Sequence, residues 1–475
     1  MIHPNTAFLQ VLSGIDRRNR ASRFHHRKEL QEIRRQNFSS KSAGGKIQAF
    51  GLSASWVAAL VLAIFAVGSP LRAQAPPQQS AVRIDLNQAI HLALAHNHIL
   101  KATETLVPQD QAQEITAGLR PNPQFVYDDL FVPIVPSQFT GTNLSNITEF
   151  DVGASYTIER GHKRQARMRA ARDQTTVQRS LVGDTERGLI YNVAQQFINV
   201  LFAQSTLAFA KQDLSSFQNT VNLSAEQYQA GQISEGDFLK IKLQLLQFQT
   251  DVSSAQVALV QAKASLRQLL GYDAVPENYE VIGDLAYAPL RLNLQDLQAR
   301  ALQLRPDLSA AKQGVTAAQS QYDLARANGK RDVTTSLYYT HVTGINSASF
   351  IFNMEIPIFD RNQGEIARTH YAITQAQEQQ AAASDQVMTD VRNAYEGMRT
   401  NDEVVKLYQS GYLKEAQDSR DISQYAYRRG AASLLDFLDA ERSYRATQLA
   451  YLQALANYMD SVEQVREAVG TRNLQ

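Results

Sequence analysis

The chain has 475 residues, enough for two or three ordinary domains or one large one, and its 44% apolar content is sufficient for a packed core. It has no cysteine, which excludes disulfides, thiolate metal sites, cysteine nucleophiles and an N-terminal lipidated cysteine. The formal charge of +1 hides an asymmetry: eleven of the 47 Lys and Arg but three of the 46 Asp and Glu fall in the first 75 residues, so the remainder is about seven charges negative, a field unfavourable to nucleic acid.

Those first 75 residues open on an arginine-rich stretch that includes Arg17, Arg18, Arg20, Arg23, Arg27, Arg34 and Arg35. The run "GLSASWVAALVLAIFAVGSPLRAQA" follows. Positive charge, an apolar run and an A-x-A ending are the three parts of a secretory signal, with cleavage expected after Ala75. A single membrane span is the alternative reading, and the Pro-Gln linker that follows favours removal. The segment 1–75 is therefore read as a basic leader and signal peptide.

The rest of the chain is written twice. A shift of 199 residues lays Ser224, Tyr228, Gly231, Ser234, Asp237, Phe238 and Leu239 over Ser423, Tyr427, Gly430, Ser433, Asp436, Phe437 and Leu438. Those are seven identities in sixteen positions, where chance gives roughly one. The same shift carries Gly271 onto Gly470. The two halves are taken as 76–285 and 286–475.

Within each half, the segment ahead of the long proline-free run has the texture of strands. "FDVGASYTIE" alternates Phe150, Val152, Ala154, Tyr156 and Ile158 with polar or small residues, and "SFIFNMEIPIF" alternates Phe350, Phe352, Met354, Ile356 and Ile358 with Ile351, Asn353, Glu355 and Pro357. "PQFVYDDLFV" and "DVTTSLYYTHV" are weaker partners, giving two strands per half and four per chain. Strands of about ten residues with one apolar and one polar face suit a membrane barrel, but four cannot close one, so several chains would have to build it together. A small soluble sheet capping a helical bundle satisfies the same alternation.

After the strands, no proline occurs between Pro136 and Pro276 or beyond Pro357, and both spans are rich in Ala, Gln, Leu, Arg and Glu. Helices are expected over about 163–229 and 363–429, each roughly 100 Å long at about 1.5 Å per residue. Gly183, Gly188, Gly397 and Gly411 are places where they can bend. Each long helix should close at the repeated Tyr-x-x-Gly, on Gly231 and Gly430. Ser234 and Ser433 then N-cap return helices that run to Gly271 and Gly470. Asp436, in the first turn of such a helix, would favour its dipole.

With these features in place, the chain resembles the TolC-like outer-membrane efflux family over nearly all of the region after the leader. "YQAGQISEGDFLK" and "YRRGAASLLDFLDAERSY" look like that family's two periplasmic tips, while "GLRPNPQF", "IERGHKRQA" and "IPIFDRNQGEIA" are closer to the CzcC-type, cation-efflux branch. The resemblance implies a mainly α fold with a membrane β-barrel portion: a homotrimer with a twelve-stranded barrel in outer-membrane lipid and a hollow helical barrel in the periplasm. It implies a periplasmic adaptor as partner and an inner-membrane pump, of the resistance-nodulation-division type. The chain would then be the exit duct for metal cations or small toxic compounds. An exported coiled-coil scaffold or adaptor without a barrel is the alternative.

By position, Asp436 and Asp439 match acidic rings around the family's periplasmic aperture. Two carboxylates from each of three chains around a narrow opening would attract cations and raise one another's pKa. Tyr427 and Asp237 match gate contacts that hold the aperture shut. Ala432 stands where one member has a second polar gate residue, so half of that closing network is missing here.

No P-loop, G-x-S-x-G, H-E-x-x-H or dinucleotide motif occurs, so neither an enzyme nor a cofactor is expected. His91, His96 and His98 form the one suggestive cluster, and the solvated edge of an amphipathic helix accounts for them better than a metal does.

Overall fold

A computed structural model describes residues 82–146 and 148–474; the basic leader and signal segment lie outside the described residues. Strand β1 (Arg83–Ile84) leads into three short helices, α1 (Leu86–His96), α2 (His98–Glu104) and α3 (Leu106–Gly118). Asp85 starts α1 with a capping box, exchanging hydrogen bonds with Gln88, and Asn97 caps α2 by accepting from the amides of Ile99 and Leu100. Strand β1 pairs in parallel with β4 (Glu280–Val281), a two-residue bridge that local alternation does not announce.

Four strands, β2 (Gln124–Leu130), β3 (Glu149–Ile158), β5 (Val333–Val342) and β6 (Ile345–Met354), form an antiparallel sheet in the order β2-β3-β5-β6. The short helix α4 (Gly141–Asn146) lies in the β2–β3 connection. The alternation in "SFIFNMEIPIF" runs on to Ile358, but pairing stops at Met354. Pro357 cannot donate to a ladder, and Ile358 instead donates to the Ile356 carbonyl in a tight turn.

Register makes this sheet inside-out for a soluble protein. Tyr127, Val152, Tyr339 and Ala348 share one row, and Phe125, Ala154, Leu337 and Phe350 the next row on that face. Tyr127, Leu337, Tyr339 and Phe350 are exposed there, Phe350 at 69%. On the opposite face Ser155, Ser336 and Thr340 are buried, Ser336 to 4%, and the Thr157 and Thr334 hydroxyls meet across the strands at 3.1 Å.

From β3 the chain enters α5 (Lys163–Gln229), 67 residues without a break, and returns through α6 (Glu235–Leu270). The second half runs through α7 (Leu294–Leu304) and α8 (Pro306–Asn328) to β5 and β6, then α9 (Gln363–Leu407). A π-helical turn, Tyr408–Tyr412, separates α9 from α10 (Leu413–Arg428), and α11 (Leu434–Val469) closes the chain. Of the four glycines named as bend points, Gly411 is the one in a non-helical conformation, at φ 146°, which a side chain would make costly.

Helix α5 packs on α6, α8 and α11, and α9 packs on α8 and α11. One apolar core joins α7, α8, α9 and α11 around Val387, Val391 and Val465; another joins β1, α1, α5 and α6 around Val193, Leu266 and Tyr279. Buried Arg305 pins the start of α8 to α9, with its guanidinium 2.6 Å from Asp307 and 2.8 Å from Asp390. No helix among the described residues is long and apolar enough to cross a membrane.

Candidate functional site

The two helical tips are built by the same local chemistry. Gly231 and Gly430 take left-handed φ of 70° and 74°, which glycine adopts without a Cβ penalty. At each, two reverse hydrogen bonds close the helix: Gly231 to Tyr228 and Gln232 to Gln227, then Gly430 to Tyr427 and Ala431 to Ala426. Three residues past each glycine, Ser234 accepts from the Asp237 amide at 3.1 Å and Ser433 from the Asp436 amide at 3.2 Å.

The aspartates then diverge. Asp237 accepts from Ser234 Oγ at 2.9 Å and from Lys240 at 3.3 Å. Asp436 completes a capping box, accepting from the Ser433 hydroxyl at 2.7 Å and the Ser433 amide at 3.1 Å. These bonds, the hydroxyl's first, hold its carboxyl below the ordinary value of 3.8. Asp439 is exposed one turn on, with Arg442 at 3.8 Å.

Tyr427 lies in an apolar cluster with Phe217, Val221, Ile241, Phe248, Leu434 and Phe437. Its ring stacks on Phe437 at 5.5 Å. Its hydroxyl is buried without a hydrogen bond. Burial first, then the Asp237 charge, raises its pKa. Thus Tyr427 and Asp237 are brought within electrostatic range of each other, but the Asp237 carboxylate is held by Ser234 and Lys240. Ala432, half-buried like Ile233 at the other tip, brings no polar group to the turn.

Further up the hairpins lies a cluster that sequence reasoning did not find. Asp213 of α5 and Glu441 of α11 are 3% and 6% exposed. Arg445 of α11 forms an ion pair with Asp213 at 2.6 Å and also pairs with Asp251 of α6. Its guanidinium covers the Phe248 ring at 4.2 Å, and Arg420 of α10 covers Tyr444 at 4.1 Å. The participants come from four helices and share no spacing or repeat register, so no local signal joins them.

His91, His96 and His98 are exposed on α1 and α2. Among the described residues no group of three or more His, Cys, Asp or Glu is arranged to hold a metal ion.

The comparisons with known proteins point one way. A family model described as outer membrane efflux protein matches residues 89–272 and again 297–471, one match to each copy of the plan. The cobalt-zinc-cadmium resistance protein CzcC of Cupriavidus metallidurans is 24% identical over 396 residues, covering 83% of this chain and 92% of that one. The cation efflux system protein CusC of Escherichia coli K12 is 26% identical over 297 residues, 58% of this chain and 62% of its own length. A crystal structure of CusC superposes with a TM-score of 0.68 at 22% identity, covering 81% of this chain and 92% of that one. The chain belongs to the outer membrane efflux protein family, whose members are efflux channels and not enzymes.

Proposed function

We propose that the protein is the outer-membrane exit duct of a tripartite efflux system, working as a homotrimer. The observation that carries this is the inside-out sheet: an apolar face left exposed, a polar face covered along the two central strands, and the outer edges of β2 and β6 unpaired among the described residues. Three copies paired edge to edge would make a closed twelve-stranded barrel with its apolar face toward lipid, removing every edge. The helices would continue it as a twelve-membered hollow barrel. Exposed Leu239, Leu243 and Leu246 on α6, and exposed Ile422 and Tyr425 on α10, are apolar stripes that neighbouring copies would cover.

The tips would dock onto a periplasmic adaptor linked to an inner-membrane pump, of the resistance-nodulation-division type. The cargo would be metal cations or small toxic compounds, in line with the names of CzcC and CusC. At the mouth, exposed Asp439 and the tip residue Asp436 would line the aperture, with Tyr427 and Asp237 at the contact between hairpins.

Outer-membrane fractionation followed by gel analysis of unheated samples should give a heat-labile trimer. A soluble monomer would defeat the reading. Phe350→Arg, a charge on the lipid face, should cost about 2 to 4 kcal/mol of barrel stability and reduce the trimer. For the aperture, the double variant Asp436→Ala, Asp439→Ala should lose cation selectivity in single-channel recordings; unchanged selectivity would remove these residues from that role.

A further inference from the structure

Asp213 of α5 and Glu441 of α11 are both buried in the cluster where Arg445 ties α5 to α6 and α11, and each carboxyl lies within electrostatic reach of the other. The charged groups around them are Asp251 from α6, Arg420 and Asp421 from α10, and Arg445 from α11, with the Tyr444 ring alongside. That is four carboxyls against two guanidiniums. Both guanidiniums are engaged: Arg445 by Asp213 and Asp251, Arg420 by Asp421 at 2.8 Å. Among the described residues no cation lies within ion-pair distance of Glu441, which is 6% exposed. A buried carboxyl outside any ion pair, set against a second buried carboxyl, favours a proton held by the pair.

We propose that Asp213 and Glu441 form a proton-operated latch between the two hairpins, fastened while they share one proton and loosened when both are ionised. The two residues belong to different hairpins, so like-charge repulsion would act to separate them. Burial first, then the Asp213 charge, raises Glu441 to about 7 from an ordinary 4.5, against the pull of Arg420 and Arg445. Burial also raises Asp213 despite Arg445. A folded-state pKa above the open-state value stabilises the contact fully below 4.5, and that stabilisation is lost as pH rises to about 7. The latch concerns packing between hairpins and holds whether or not the chain conducts.

Hydrogen exchange of the full chain in detergent, at about pH 6 and about pH 8 and corrected for intrinsic rates, tests it. Wild-type amides in α10 and the first half of α11 should open about tenfold more readily at the higher pH. Glu441→Gln keeps a neutral hydrogen-bonding group and should abolish that difference, leaving protection at the acidic level. Asp213→Asn removes the second carboxylate and should also flatten the profile, which keeps the test open if one variant folds poorly. A wild type without pH dependence, or a Glu441→Gln variant that keeps it in full, would overturn the latch.

Discussion

At the first tip Tyr228 stacks on Phe238 with 38% of its surface exposed; at the second, Tyr427 stacks on Phe437 with 9% exposed. The turns beneath these rings share the same reverse hydrogen bonds, left-handed glycine and serine cap. The difference comes from what lies outside. Tyr427 is covered by Phe217 and Val221 of α5 and by Ile241 and Phe248 of α6, so the second tip leans on the first hairpin, while no equivalent surface covers Tyr228 as fully. Duplication preserved the code that is local to the backbone and let packing diverge.

Cutting the rings back separates the two tips most sharply. Tyr427→Ala should cost about 3 to 5 kcal/mol by emptying a buried aromatic site. Tyr228→Ala, at a half-open site, should cost less than half of that. Denaturant unfolding of the detergent-solubilised chain measures both, and equal losses would refute the packing distinction. Tyr427→Phe should be nearly neutral, because the hydroxyl it removes has no hydrogen bond.

Substitutions in the turns should erase the contrast. Gly231→Ala and Gly430→Ala each force a Cβ into left-handed backbone, and no neighbour crowds either position, so each should cost the same, about 1 to 2 kcal/mol. Ser234→Ala and Ser433→Ala should each cost about 1 kcal/mol, with a small excess at Ser433, which also carries the reciprocal bond from its amide to Asp436. The same unfolding assay reads these, and a Gly430 effect far above that of Gly231 would mean the turns are not equivalent.

What was legible in the sequence follows the same division. Gly231, Gly430, Ser234 and Ser433 could be placed because each satisfies a requirement set by its immediate neighbours. Strands β3 and β6 were legible because alternation is a property of one segment, and β6 ended early where Pro357 interrupts pairing. At Gly411 a bend was foreseeable, but the π turn was not, since a glycine marks where a helix can bend and not which hydrogen-bond pattern it then takes. Least legible was the buried cluster: Asp213 and Glu441 are 228 residues apart, and each on its own helix reads as an ordinary polar position.

Two carboxyls of α11 sharpen the comparison at the smallest scale, because they respond to pH in opposite senses. Asp436 has its pKa depressed by Ser433, so its contribution is present above 3.8 and disappears as pH falls through its lower folded value. Glu441 has its pKa raised, so its contribution is greatest below 4.5 and disappears as pH climbs toward 7. The second tip should therefore be most tightly held in mildly acidic solution, with protection falling on both sides. Asp436→Asn should remove the acid limb of that profile and leave the limb above 4.5 intact, while Glu441→Gln should do the reverse. Exchange rates for α10 and α11 across this range measure both limbs. If Asp436→Asn altered the limb approaching neutrality, the cap and the buried pair would have to be one titrating unit, and the division between local turn and hairpin packing would fail at its closest approach.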